Sequence, residues 1–95
     1  MIITKKVVFI AKDESINELK ALLTDMVKPS QKEKGCLLYE IYQTNEKPHT
    51  FVVIESWENE AALEGHKNSA HYAHYKANFE PHVADKYSDA LTALA

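Results

Sequence analysis

Ninety-five residues, 45% of them hydrophobic and the rest of mixed charge, describe one globular domain over 1–95, because two cores at this size would each bury too little apolar surface to offset chain entropy. The formal net charge is −3 and all eleven basic residues are lysines. The guanidinium fork that grips phosphates and guanine edges is therefore absent, and nucleic acid is not an expected partner.

No apolar run approaches the roughly 20 residues needed to span a bilayer, and Met1 to Lys6 lacks the layout of a signal peptide. A cytoplasmic protein with no membrane partner is expected. The single cysteine, Cys36, has no intramolecular disulfide partner, which agrees with a reducing compartment and points to a packing role.

Ile3 to Ala11 sets Val7, Phe9 and Ala11 on one face and Val8 and Ile10 on the other, a β-branched run that predicts a strand. Ser15-Ile16-Asn17-Glu18 has the form of a capping box. Ile16, Leu19, Leu22, Leu23, Met26 and Val27 follow at helical steps. Pro29 should kink or end that helix, and Gly35 stands where a left-handed residue is useful.

Cys36 to Gln43 and Thr50 to Trp57, separated by a loop containing Asn45-Glu46-Lys47-Pro48, predict a hairpin. Asn59 can cap a short helix through Lys67, and Ser69 a second through about Asp85 with a kink at Pro81. Lys86 to Leu94 is expected as a last strand, chiefly on architectural grounds.

The order strand, helix, strand, strand, helix pair, strand is the ferredoxin-like split βαβ arrangement, an α+β fold with an antiparallel sheet and helices on one face. The hairpin is apolar on both sides: Val52 and Ile54 point one way, Phe51, Val53 and Trp57 the other. Helices cover one side only, so a second sheet, most simply that of an identical chain, is expected to cover the other.

The segment Glu55-Ser56-Trp57-Glu58-Asn59-Glu60-Ala61-Ala62-Leu63-Glu64-Gly65-His66, with Ser69-Ala70-His71 after it and Glu33-Lys34-Gly35-Cys36-Leu37-Leu38-Tyr39 before it, resembles the antibiotic biosynthesis monooxygenase superfamily. The resemblance spans nearly the whole chain and implies a dimeric α+β barrel, with a small-molecule pocket in each subunit near Trp57, His66 and His71. Relatives include quinol and polyketide monooxygenases, haem-degrading enzymes and an isomerase of a phosphorylated sugar, so fold alone does not set the chemistry. Cofactor-free polyketide oxidisers carry an asparagine where this chain has Val53. Haem degraders carry one where it has Val7, Val8 and Phe9, and a histidine near Lys76. Haem is thereby disfavoured.

Glu55 shares a strand face with Val53 and Trp57, a carboxylate among apolar neighbours where desolvation opposes ionisation, as suits a general base. His66 and His71 are candidate proton donors or shuttles. Trp57, Phe51, Val53 and Tyr72 are the candidate substrate-binding residues. Most of the other aromatic side chains, Tyr39, Tyr42, Tyr75 and Phe79 among them, are expected in the core. His71, His74, Asn78 and His82 recur at helical steps, but that spacing is common by chance and no metal is expected.

The leading expectation is oxidation of a small aromatic or quinol-like compound by dioxygen without metal, flavin or other cofactor. The alternatives are isomerisation of a small, possibly phosphorylated metabolite, and a non-catalytic dimeric ligand-binding protein.

Overall fold

Four runs of β-branched and aromatic residues form strands in the computed structural model, which describes residues 1–95. They are β1 (Ile3–Ala11), β2 (Cys36–Gln43), β3 (Thr50–Trp57) and β4 (Val83–Leu91). Helices α1 (Ile16–Thr24) and α2 (Val27–Gln31) join β1 to β2, and α3 (Glu60–Lys67) and α4 (Ala70–Asn78) join β3 to β4. The sheet runs β2-β3-β1-β4 with every neighbour antiparallel, the ferredoxin-like α+β order.

Period-two alternation assigns the faces. Val7, Phe9 and Ala11 of β1, Tyr39 of β2, and Phe51, Val53 and Trp57 of β3 are buried beneath the helices. They meet Leu19, Leu22, Leu23 and Met26 of the first helical segment and Tyr75 and Phe79 of the second. Each buried leucine or phenylalanine contributes about 1.5–3 kcal/mol by leaving water. The opposite face, bare of helices, carries Val8, Val52 and Ile54 at its centre and the exposed Leu38, Tyr42, Tyr87 and Leu91 around them.

Local signals decide several boundaries. Asn59 Oδ1 accepts from Ala62 N at 2.9 Å and Ser69 Oγ from Tyr72 N at 3.2 Å, so both expected caps form. Gly35 has φ +83° and its carbonyl accepts from Glu58 N at 2.8 Å, tying the start of β2 to the end of β3.

Two expectations are corrected, and the break expected from Pro29 forms a few residues ahead of it. Ser15 makes no capping bond; a 3₁₀ turn over Asp13–Ser15 runs straight into α1, and the hydroxyl instead lies 3.1 Å from His82 Nδ1. The first helix breaks before Pro29, at Asp25 and Met26, because the ring of Pro29 conflicts with the carbonyl four residues back while the proline itself sits harmlessly in the first turn of α2. The last helix stops at Asn78 rather than near Asp85, since Pro81 has no amide to continue it. A 3₁₀ turn over Glu80–His82 leads directly into β4, which starts at Val83.

A Cβ at position 35 would lie 2.5 Å from Ala62 Cβ, on a backbone that L side chains resist. Gly35→Ala is therefore expected to lower the unfolding free energy by about 2 kcal/mol or more, read as a fall in the urea midpoint.

Candidate functional site

Between the sheet and the helices lies a cavity of about 80 Å³, room for several water molecules or a ligand of like bulk. Its lining divides by depth. Val7, Phe9, Val53, Glu55, Tyr39 and His66 are buried, whereas Lys67, Lys86 and Ser88 are exposed and mark the mouth.

Glu55 faces this space from β3. Only 7% of it is exposed. Its Oε1 accepts from Trp57 Nε1 at 2.9 Å, a bond allowed because residues two apart on a strand share a face. Its other oxygen takes no hydrogen bond from the protein, and none of the chain's ion pairs includes it. Trp57 is fully buried and its ring lies 4.5 Å from that of His66, centroid to centroid.

His66, on the last turn of α3, is held from behind. Glu33, in the loop between α2 and β2, sets Oε2 2.6 Å from His66 Nδ1 and 3.0 Å from His71 Nε2. An ionised carboxylate only accepts, so in this arrangement each of these ring nitrogens carries a proton. The Nδ1–H tautomer of neutral His66 then leaves Nε2 with a free lone pair. Ser69 Oγ donates to the His66 carbonyl at 2.7 Å and lies 3.2 Å from His71 Nε2, completing the knot.

Environment sets the ionisation of the lining. Burial, then the charge of Glu55, holds the Tyr39 and Tyr72 phenols above their ordinary range; for Tyr75 the causes are burial, then Tyr72, then Glu55. Burial and the neighbouring Lys76 and Lys5 push the Lys86 ammonium down. Burial and Glu33 push the Cys36 thiol up, which does not favour a nucleophile there.

Of the residues singled out in the sequence, Val53, Glu55, His66 and Tyr72 border the cavity. Phe51 and Trp57 do not; both pack inside the core, and Trp57 meets the cavity only through the carboxylate it holds. His71 likewise stands behind His66, linked to it by Glu33. The helical stripe disperses: His74 is exposed beside Asn78 and His82 turns to Ser15.

One other grouping has the composition of a metal site. Ligand atoms of Glu33, His66 and His71 all lie within 4.8 Å of one another, but they are engaged in the hydrogen bonds just described, which a cation would have to displace. Sequence reasoning missed Glu33 and Lys86 as site residues, and only the alternation of β4, read against the register of β1, could have drawn attention to Lys86.

A ferredoxin-like sheet with a carboxylate and a histidine facing a small cavity beneath its helices defines an α+β protein with a candidate small-molecule site. The family model described as antibiotic biosynthesis monooxygenase matches residues 2–78, and the chain belongs to that family. It is 32% identical over 69 residues to the provisionally named monooxygenase Rv0793 of Mycobacterium tuberculosis, covering 73% of this chain and 67% of the relative. It is 30% identical over 66 residues to the provisionally named monooxygenase YcnE of Bacillus subtilis, covering 70% of each. The crystal structure of PA3566 from Pseudomonas aeruginosa superposes with a TM-score of 0.94 at 32% identity, over 99% of this chain and 95% of that one.

The raised phenols make stability depend on alkaline pH. A group whose folded pKa exceeds its unfolded value contributes fully below the unfolded value, here 10.0, and loses that contribution as pH rises above it. The urea midpoint should fall from about pH 10 upward. Tyr39→Phe should flatten that fall.

Proposed function

We propose that the chain is a cofactor-independent monooxygenase that oxidises a small aromatic or quinol-like compound with dioxygen. The observation that supports this most is Glu55: a buried carboxylate with one oxygen pinned by an indole, the other free toward a cavity, and no cation paired to it. Such a group is placed to take a phenolic or quinolic proton, because its second oxygen can accept a hydrogen bond from a hydroxyl entering the cavity. The resulting anion is electron-rich enough to react with dioxygen. One oxygen atom stays in the product, the other leaves as water, and the substrate supplies the four electrons.

His66 is the second proton acceptor. Its Nε2 lone pair is available, and Glu33 at Nδ1 would stabilise the imidazolium once formed. His71 acts behind it through Glu33, and Tyr72 and Val53 form apolar wall against the substrate body. Two proton acceptors on one cavity also favour a second reading, isomerisation by carrying a proton between neighbouring carbons of an oxygenated metabolite.

Oxygen uptake measured over a panel of quinols separates these readings. Uptake should be present in the native chain and fall about 100-fold or more in Glu55→Gln or His66→Ala, the usual contribution of a positioned base. Uptake unchanged in both variants would remove these roles.

The assembly proposed with this function is a homodimer formed through the bare sheet face. On β4 the usual alternation is broken: Tyr87 and Leu91 point away from the helices together with Asp85 and Asp89, while Lys86 and Ser88 lie on the helix side. A sheet face bare of helices, with Val52 and Ile54 half-buried near its centre and Tyr42, Tyr87 and Leu91 exposed on its outer strands, is stabilised when another sheet covers it. Small-angle scattering at micromolar concentration should return twice the subunit's 10.8 kDa, and a monomer mass would refute the dimer.

A further inference from the structure

We propose that the cavity mouth binds the anionic group of the substrate, a carboxylate or a phosphate monoester, with Lys86 as principal contact and Lys5 and Lys67 completing a cationic rim, while the apolar body reaches inward toward Glu55 and His66. This rests on the reading of the cavity as the substrate site and adds the chemical class of what enters it.

Charge distribution is the first support. The chain carries a net −3, yet the cavity lining holds three lysines against the single carboxylate Glu55. None of the three lysines has a carboxylate oxygen within 4.0 Å; the one lysine ion pair in the molecule, Lys6 with Asp89 at 3.7 Å, lies on the opposite sheet face. A cluster of unpaired ammonium groups beside apolar walls attracts a counter-ion, and the low dielectric of those walls strengthens the attraction.

The second support is that Lys86 is placed rather than left to solvent. It stands on the helix-facing side of β4 opposite Phe9, with its ammonium 4.9 Å from the Phe79 ring centroid, 5.5 Å from that of Phe9 and 5.7 Å from that of Tyr75. Phe9 and Tyr75 are themselves cavity walls. Three ring faces thus hold the charge at the rim without neutralising it. Burial together with the like charges of Lys76 and Lys5 makes that ammonium harder to keep protonated, a strain that a bound anion relieves.

The geometry also divides the ligand. The cations sit at the exposed mouth, and the proton acceptors Glu55 and His66 sit deep among Val53, Tyr39 and Tyr75. A substrate with its anionic group outward and its ring inward matches both ends. The reverse orientation would press its charge against Glu55.

Benzoate, phenyl phosphate and uncharged benzyl alcohol are the probes, titrated into the isotope-labelled full chain and followed by amide chemical shifts. At least one anion should bind about tenfold or more tighter than the alcohol, as one charge-assisted contact provides, and should weaken as salt is raised. Its shifts should map to β4, α4 and the end of α3. The preference between benzoate and phenyl phosphate identifies which anion the rim selects.

Lys86→Gln, which removes the charge and keeps most of the side-chain length, should reduce the ratio of anion to alcohol affinity about tenfold; Lys5→Gln should reduce it in part. Equal affinity for anion and alcohol, anion affinity untouched in both variants, shifts confined to another surface, or no binding of any probe would each overturn the proposal. Anion binding without oxygen uptake would overturn the oxidation reading and leave this one standing. Uptake on uncharged quinols with no preference for anions would do the reverse.

Discussion

The hydrogen bond from Trp57 Nε1 to Glu55 Oε1 is the contact around which the site is built. A buried indole needs an acceptor and a buried carboxylate needs a donor, and neither has another protein partner here. Their spacing on β3 satisfies both in one bond. Trp57 is wholly enclosed and orients one oxygen of the carboxylate, and the His66 ring is laid against the same indole at 4.5 Å. The aromatic core and the polar site are thus one packed unit rather than a core with a site added.

A second constraint acts from outside that unit. Glu33 comes from the loop before β2, His66 from α3 and His71 from α4, three segments with no secondary structure in common. Their hydrogen bonds join the two helical crossovers at one end of the sheet and select the tautomer that His66 presents to the cavity. Ser69 serves both purposes, capping α4 through Tyr72 N and donating to the His66 carbonyl. Local helix capping and site geometry therefore depend on one hydroxyl.

The sheet itself carries two opposed patterns. Its central strands follow the usual rule, apolar under the helices, whereas β4 sets Lys86 and Ser88 under the helices and Tyr87 and Leu91 outside. Lost packing at that edge leaves the room that the cavity occupies. The same strand places Tyr87 and Leu91, together with Asp85 and Asp89, on the bare face. One alternation thus links the cavity to the surface proposed for a second subunit.

By itself the sequence determined what short-range physics determines. The bounds of the first three strands, the faces of β1 and β3, the caps at Asn59 and Ser69 and the left-handed Gly35 all follow from alternation, side-chain to backbone bonds three residues apart, and steric limits on φ. The place of Glu55 on the cavity side of β3 was legible for the same reason, since its strand face is set by parity with Val53 and Trp57. Only the tertiary structure decided which distant groups meet. Ser15 had the right local sequence for a cap, but its hydroxyl turned to His82, 67 residues away. Glu33 became a partner of two histidines more than thirty residues on, and Lys86 became a cavity residue through its register with Phe9. Those pairings depend on strand register and on where the helices lie across the sheet, which are properties of the whole packed chain and leave no trace in any one segment.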